Sequence, residues 1–208
     1  MDMIVIVDYG AGNVGNVARA LRYLGLDWRI ASTPANMPHD VELILLPGVG
    51  AFAPAAKKLE ESGWRDTIIE WTRGGHPLLG ICLGMQLLCE CSFENDPAPG
   101  LGLIKGKVSK LDIRPLPHIG WNDIRWLRPI SPLQKAAPDG SAFYFVHSFA
   151  LPVGEDTAAE TSVQNVTFSS IVAKGNIIGF QFHPERSGPV GLRLLQRTIQ
   201  LLERKGGA

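Results

Sequence analysis

The stretch Pro77-Leu78-Leu79-Gly80-Ile81-Cys82-Leu83-Gly84-Met85-Gln86-Leu87-Leu88 decides the fold of this chain of 208 residues. It begins with a short apolar run typical of a buried strand and ends with a run typical of a helix. Between the two runs, Gly80 and Gly84 flank Cys82, and glycine lacks the Cβ atom that would clash in a sharp turn. The stretch therefore predicts a strand, a tight turn with Cys82 at its apex, and a helix.

Cys82 is the first candidate for a catalytic group. A nucleophile at the apex of a strand–turn–helix has the geometry of the G-x-S-x-G elbow found in hydrolases. The N–H groups at the start of the following helix carry partial positive charge and favour a thiolate. Because a cysteine can also simply fill space in a core, a catalytic role requires a general base elsewhere in the chain.

The first half of the chain alternates short apolar runs with amphipathic ones. Strands are predicted at Met3–Val7, Trp28–Ala31, Leu43–Leu46 and Pro77–Ile81, and helices at Val14–Leu24, 51–62, 64–73 and after Cys82. This alternation predicts an α/β fold with a mostly parallel central sheet flanked by helices. Ligands of such sheets lie beyond the carboxyl ends of the strands. We therefore expect Pro47–Gly50 and Gly80–Gly84 to meet at one site.

The second half of the chain reads mainly as strands and turns. After a loop at Asn95–Gly100, strands are predicted at Gly102–Ile113, Asp123–Leu127, Ala142–Phe149, Val166–Lys174 and Asn176–Phe182, and a helix at 187–204. A tight hairpin is expected around Gly175. The chain shows no internal repeat and no linker, which predicts a single domain over residues 1–208.

Composition and charge narrow the classes of partner. Lysine plus arginine and aspartate plus glutamate number 20 each, so the formal net charge is zero. This balance does not favour nucleic acid or an anionic membrane as a partner. The apolar N-terminal run is too short to span a bilayer and lacks a basic region before it, which predicts a buried strand rather than a signal peptide. We therefore expect a soluble, cytoplasmic protein.

The three cysteines do not form an obvious disulfide or metal pattern. An odd number, at Cys82, Cys89 and Cys91, is a poor disulfide framework. The Cys89-x-Cys91 spacing is not a usual zinc motif, and the two side chains would point to different faces if the helix after Cys82 continued through residue 91. Structural thiols are predicted at these two positions, and neither a metal nor a cofactor is expected.

His183 is the candidate base among the five histidines. It follows a predicted strand in the sequence His183-Pro184-Glu185, and proline favours extended backbone for the residue before it. Because residues i and i+2 of an extended segment point the same way, Glu185 would accept the ring N–H of His183. Cys82, His183 and Glu185 then have the roles of nucleophile, base and orienting group.

The glycine loop Pro47-Gly48-Val49-Gly50 is a candidate oxyanion site. Acyl transfer through a thiolate creates an oxyanion that needs N–H donors, and the N–H of Leu83 would supply a second donor. A simple β–α turn is the alternative interpretation of the same glycines.

Two further patterns have structural and functional interpretations. His147 shares a strand face with Phe145 and Phe149, which favours a structural histidine in the core. It has no carboxylate two residues later, as His183 has in Glu185, so His183 is the preferred base. The sequence Gly10-x-Gly12-x-x-Gly15 matches a dinucleotide fingerprint, but the acidic residue expected about twenty positions later is missing.

Several motifs together resemble the class I (triad) glutamine amidotransferases, a flavodoxin-like α/β fold. Within that family they are similar to the glutaminase subunit of imidazole glycerol phosphate synthase. The motifs span nearly the whole chain: Asp8–Asn13, Leu46–Phe52, Gly80–Gln86, Pro117–Asn122, Tyr144–Ser148 and Gln181–Ser187.

The resemblance implies a substrate and a mechanism. Cys82 would attack the side-chain amide of L-glutamine to form a glutamyl thioester, with His183 as base and Glu185 as its orienting group. It also implies a glutamine pocket lined by Gly48, Gly50, Gln86, Glu94, His147 and Ser148.

The resemblance further implies a partner, a (β/α)₈ cyclase subunit that receives the ammonia for histidine biosynthesis. Its interface would include His118, Trp121, Asn122 and Tyr144, with Ile119 where the family more often has methionine. Two alternatives remain at this point. One is the glutaminase of another synthase, such as that of pyridoxal phosphate or anthranilate, and the other is a non-catalytic regulatory subunit with the same fold.

Overall fold

The computed structural model describes residues 3–94 and 96–206, with side chains as far as residue 204. The strands are β1 (Met3–Val7), β2 (Trp28–Ala31), β3 (Val41–Gly48), β4 (Leu78–Cys82), β5 (Cys89–Ser92), β6 (Ala98–Pro99), β7 (Ile104–Lys110), β8 (His118–Asp123), β9 (Arg125–Trp126), β10 (Ala142–His147), β11 (Phe149–Ala150), β12 (Thr157–Val163), β13 (Val166–Lys174) and β14 (Ile177–Phe180). The α-helices are α1 (Val14–Tyr23), α2 (Phe52–Glu61), α3 (Trp64–Arg73), α4 (Leu83–Leu87), α5 (Ser131–Ala136) and α6 (Gly188–Gly206). Short 3-10 helices lie at Pro34–Asn36 and Pro184–Arg186.

In the described residues the central sheet has eight strands, in the order β2-β1-β3-β4-β14-β13-β12-β9. The strands from β2 to β14 run parallel, and β13, β12 and β9 extend the sheet with antiparallel pairs. One apolar core includes residues of α1 and α6, and the other includes residues of α2, α3 and α4. The predicted α/β fold with a mixed central sheet between helices is confirmed.

The parallel half of the sheet follows the sequence closely. The run Leu43–Leu46 is completely buried, as expected for a strand covered by helices on both faces. The strand β3 is nevertheless longer than predicted and continues through Pro47 to Gly48. Proline is tolerated there because β1 pairs with β3 only as far as Leu45, so Pro47 lies beyond that ladder.

The helix after Cys82 is short, as the predicted run that ends at Leu88 implies. α4 ends at Leu87, and Cys89 and Cys91 lie in strand β5, not in a helix. The reason is a close backbone approach from Gly100, where a Cβ atom would lie 2.1 Å from the carbonyl oxygen of Cys89. Burial raises the pKa of the Cys89 thiol to about 12, which agrees with a structural thiol. Position 95 of the predicted loop lies outside the described residues.

The second half contains elements that the sequence patterns did not predict. These are α5, β8 and β12, the last of which lies inside the central sheet between β13 and β9. β12 has the sequence Thr157-Ala-Ala-Glu-Thr-Ser-Val163, which has too few large apolar residues for a visible period. The predicted strand Ala142–Phe149 divides at Ser148 into β10 and β11. The hairpin at Gly175 is confirmed, since β13 and β14 pair antiparallel across it.

The C-terminal helix α6 covers one face of the sheet. Its buried side chains include Leu194, Leu195, Ile199 and Leu202, all with no exposed surface, and their spacing is that of one helical face. Within residues 3–94 and 96–206, no helix combines the length and the apolar character needed to cross a membrane.

Replacement of Gly84 by alanine is expected to destabilise the fold strongly. A Cβ atom at this position would lie 1.9 Å from the carbonyl oxygen of Leu46, so two backbone segments would have to separate. We expect Gly84→Ala to lower the free energy of unfolding by roughly 3 kcal/mol or more, measured by chemical denaturation.

The matched control is Gly15→Ala in α1, where the added Cβ meets no heavy atom within 4 Å among the described residues outside its chain neighbours and its own helix backbone. This change should stabilise the protein by roughly 0.5–1 kcal/mol through helix propensity. Equal effects of the two substitutions would contradict the close-approach argument.

Candidate active site

Cys82 lies at a strained turn between β4 and α4. Its φ of 56° and ψ of −112° are unusual for a residue with a side chain, and such a conformation costs about 1–3 kcal/mol. The turn requires Gly80 as well as Gly84, because a Cβ on Gly80 would lie 2.9 Å from the Cα of Met85. The predicted elbow with flanking glycines is confirmed, and it presents the thiol beyond the end of β4.

His183 and Glu185 form a buried ion pair behind the cavity that Cys82 lines. Nδ1 of His183 lies 2.8 Å from Oε1 of Glu185, and the two side chains are 5% and 2% exposed. The predicted contact is present, and His183 has the extended backbone that was expected, with φ of −100° and ψ of 94°, although it lies outside a strand. β14 ends at Phe180, and Glu185 belongs to the 3-10 helix Pro184–Arg186. The turn of this short helix brings the carboxylate back under the ring.

The backbone of His183 is fixed by two neighbours. Its N–H donates to the carbonyl of Tyr144 at 3.0 Å. The hydroxyl of Ser187 donates to the carbonyl of His183 at 2.6 Å and accepts from the N–H of Tyr144 at 3.0 Å. β10 therefore holds the His183–Ser187 segment at two points.

The electrostatics favour a protonated His183. Burial alone would lower its pKa, but the neighbouring Cys82 and Glu185 outweigh burial and raise the pKa to about 10. Among the described residues, Nε2 of His183 has no partner in ordinary hydrogen-bond geometry. The thiol contributes to the raised pKa of the ring without being aligned for a hydrogen bond with Nε2, as is common before substrate binds.

Cys82 and His183 open into one cavity of about 280 Å³. Most of the predicted site residues lie on its wall, whereas Gly48 and Glu185 lie behind it. The lining residues are Val49, Gly50, Cys82, Leu83, Gln86, Glu94, Pro117, Val146, His147, Ser148, Phe149 and His183.

Polar side chains on the wall are already held in place. Nε2 of Gln86 donates to the carbonyl of Phe149 at 2.8 Å and to Oε1 of Gln181 at 3.0 Å. Nε2 of Gln181 in turn lies 4.0 Å from Sγ of Cys82. Oε2 of Glu94 accepts the N–H of Phe52 at 2.6 Å, at the start of α2.

The glycine loop does not aim its central N–H at the thiol. The N–H of Val49 donates to the carbonyl of Ala11 at 2.9 Å. The Gly10–Gly15 segment, which matches a nucleotide fingerprint, thus packs against the glycine loop, and Gly12 approaches Pro47 closely. Gly48 could not carry a side chain, since its Cβ would lie 2.7 Å from the hydroxyl of Tyr9.

The residues expected at a partner interface divide into two groups. Trp121 is 56% exposed, and its ring contacts Tyr144 edge-on at 6.2 Å. Ile119 is 59% exposed on the same strand. His118, in contrast, is buried and lies 3.2 Å from a ring nitrogen of His147, so it supports the surface from behind instead of forming it.

Sequence patterns missed three residues that contact the site. Gln181 and Ser187 lie on either side of His183 in one short stretch of sequence. Their closeness to the predicted base was a signal that could have identified them. Tyr9 had no such signal: its buried hydroxyl has no hydrogen-bonding partner among the described residues, and burial, with a smaller effect of Cys82, raises its pKa.

Comparison with known proteins agrees with this geometry. The family model described as "Glutamine amidotransferase class-I" matches residues 5–200. A solved structure described as "Crystal structure of glutamine amidotransferase" aligns with a TM-score of 0.74 at 19% identity, covering 95% of this chain and 98% of that one. The chain belongs to the class I glutamine amidotransferases, as its sequence predicts.

Curated relatives narrow the family further. "Imidazole glycerol phosphate synthase subunit HisH" of Desulfitobacterium hafniense (strain DSM 10664 / DCB-2) is 44% identical over 93% of this chain and 92% of its own length. The protein of the same name from Listeria monocytogenes serovar 1/2a (strain ATCC BAA-679 / EGD-e) is 42% identical over 93% of each. The predicted membership among the glutaminase subunits of imidazole glycerol phosphate synthase is therefore confirmed.

Glu185→Gln should reduce stability in a pH-dependent way. The pKa of His183 lies above its ordinary value of 6.5, at about 10, so folding binds a proton that the unfolded chain releases. This stabilisation is complete below pH 6.5 and is lost as the pH rises through about 10. We expect the substitution to lower the free energy of unfolding by about 1–3 kcal/mol at pH 6, and by less at pH 9–10. A difference that stays constant in denaturation experiments across this range would contradict the ion pair.

Proposed function

We propose that this chain hydrolyses L-glutamine to glutamate and ammonia through a thioester on Cys82, and that it supplies the ammonia to a (β/α)₈ cyclase subunit. The observation that carries the proposal is the meeting of a thiol at a strained elbow with a His183–Glu185 pair at one cavity. The family to which the chain belongs supports the same reaction. We propose that residues 1–208 act as one domain.

The proposed reaction begins with attack by Sγ of Cys82 on the side-chain amide carbon of glutamine. The tetrahedral intermediate collapses when the His183 imidazolium gives its Nε2 proton to the departing nitrogen, which leaves as ammonia. Water then attacks the thioester while neutral His183 takes its proton, and the thiolate leaves as glutamate forms. Glu185 accepts the Nδ1–H throughout and keeps Nε2 directed at the cavity.

The cavity offers groups suited to an amino acid. Glu94 is the one carboxylate among the lining residues, so it is the proposed contact for the α-ammonium group. Gln86, His147 and Ser148 are the proposed polar contacts along the remaining wall. Gln86 acts through its position, because its amide nitrogen already has two acceptors.

The oxyanion site is proposed to exist in two states. The N–H of Leu83 follows the nucleophile directly, whereas the N–H of Val49 donates to Ala11 and would have to turn before it could bind an oxyanion. Gly48 and Gly50 on either side allow that rotation, and the φ of Gly50 is 104°. Partner binding is the proposed trigger, so that glutamine is hydrolysed only when ammonia can be used.

The proposed partner face is the exposed side of β8 with its neighbour β10. Trp121, Tyr144 and the exposed Ile119 provide apolar and aromatic surface of the kind enriched at interfaces. Arg186 stacks over the ring of Tyr144 at 4.4 Å and places a positive charge at its edge. Asn122 lies on the same strand, but its amide nitrogen is on the inner face, 2.6 Å from Nε2 of His118. A neutral net charge gives no support to a nucleic acid or membrane partner, and the cytoplasm, which keeps thiols reduced, is the proposed compartment.

Cys82→Ala should abolish the activity with the cyclase subunit present. Loss of the nucleophile is expected to lower the rate of glutamate release by a factor of about 1,000 or more, and trapping with a glutamine analogue should add no mass to the variant. Cys91→Ala is the matched control, because Cys91 is a free thiol in β5 away from the cavity lining. A Cys82→Ala protein that still releases glutamate would overturn the assignment.

The two-state oxyanion site predicts strong dependence on the partner. Glutamate release should be measured for three samples: the isolated chain, the chain with the cyclase subunit, and that complex with the ribotide substrate of the cyclase subunit bound. We expect the liganded complex to be faster than the isolated chain by a factor of about 100 or more, the effect of one oxyanion donor. Equal rates in the three samples would rule out the gate and leave the catalytic assignment intact.

A further inference from the structure

A chain of hydrogen bonds runs from the inner face of β8 to the cavity wall. Nδ1 of His147 lies 2.9 Å from the carbonyl oxygen of Phe149. Nε2 of His147 lies 3.2 Å from Nδ1 of His118. Nε2 of His118 lies 2.6 Å from the amide nitrogen of Asn122.

The donor-to-acceptor direction of these hydrogen bonds is fixed by the carbonyl oxygen of Phe149 at one end. A carbonyl oxygen only accepts, so His147 carries its proton on Nδ1 and accepts at Nε2. His118 must then donate from Nδ1 and accept at Nε2 from the amide of Asn122. Each ring is held in one tautomer by the hydrogen bond on its other side.

Both histidines lie in surroundings that keep them neutral. Burial lowers the pKa of His147 to about 3 and also lowers that of His118. Their rings pack among aromatic side chains, with His147 edge-on to Phe168 at 4.9 Å and His118 next to Phe145 at 5.6 Å. The donor–acceptor order of the chain requires this neutrality, because an imidazolium has no acceptor nitrogen.

This series of hydrogen bonds ends on a carbonyl oxygen that also binds a side chain of the cavity wall. The carbonyl oxygen of Phe149 accepts from His147 and from Gln86, which occupies both of its lone pairs. Gln86 continues through Gln181 to the thiol of Cys82. The shape of the wall at residues 148–149 therefore depends on the tautomer of His147.

We propose that His118 and Asn122 are positioning residues for glutamine binding, which fix His147 and thereby the Ser148–Phe149 wall of the cavity. This inference rests on the proposed glutaminase function. On β8 these two side chains point inward, whereas Ile119 and Trp121 between them are exposed. The strand that carries the proposed partner face thus also sets one wall of the substrate cavity.

Two substitutions at one position test the proposal in the complex with the cyclase subunit. His118→Leu removes the donor to His147 and should raise the KM for glutamine about tenfold, with kcat changed less than about twofold. His118→Asn keeps an amide donor near the position of Nδ1 and should return the KM to within about threefold of wild type. Glu70→Ala, at an exposed position of α3 away from the cavity and from the proposed partner face, is the control and should leave the KM unchanged. An unchanged KM in His118→Leu, or equal defects in both His118 variants, would overturn the proposal.

A spectroscopic measurement tests the tautomers without activity. In the full chain labelled with ¹⁵N-histidine at pH 7, His118 and His147 should both be neutral and carry the proton on Nδ1. The signal that is lost in the His118→Asn variant belongs to His118. An Nε2–H tautomer or an imidazolium at His147 would overturn the proposal, even if His118→Leu fails to fold. If the proposed glutaminase function is wrong, the wild-type complex will release no glutamate. The tautomers alone would then decide whether His118 and Asn122 fix His147.

Discussion

The site depends on one close approach between two backbone segments. The carbonyl of Leu46, near the end of β3, reaches Gly84 so closely that no Cβ fits between them. This contact presses the start of α4 against the neighbouring strand and forces Cys82 into a positive φ. The strain lies in the turn, whereas the packing comes from the strands. Cys82 is therefore held by β3 and β4, whose residues Leu43–Leu46 and Leu78–Leu79 are completely buried. The remaining site residues are arranged around this fixed point.

The second half of the chain supplies the rest of the site by returning to the same sheet. β14 pairs with β4 in parallel, so the His183 segment leaves the sheet on the same edge as the elbow. β10 then binds that segment through Tyr144 and carries His147 on the facing wall. The candidate residues Cys82 and His183 and the cavity wall thus come from strands far apart in sequence, and their meeting is a consequence of strand order. β10 and β8, with which it pairs, also form the surface proposed for the partner.

Strong local signals made much of this predictable. The elbow, the alternating strands and helices, and the His183–Glu185 offset each depend on residues close in sequence, and the structure retains all three. Distant pairing decided what the local pattern left open: α4 ends at Leu87 because Gly100 and β7 pair with the following residues. β12 was missed because its place inside the sheet comes from its neighbours and not from its own apolar pattern. His118 looked like a surface residue in its motif, and only the fold shows that its ring faces inward.

The hydrogen bond between Val49 and Ala11 joins two main-chain atoms. A contact of this kind has no side chain that a point mutation could remove, and only a proline at position 49 would delete the donor. This loop conformation is therefore insulated from most point mutations, and a side chain would strain it at Gly48 and Gly50. Substitutions at residues that pack around the loop, such as Tyr9 beside Gly48, could change its stability without removing this hydrogen bond.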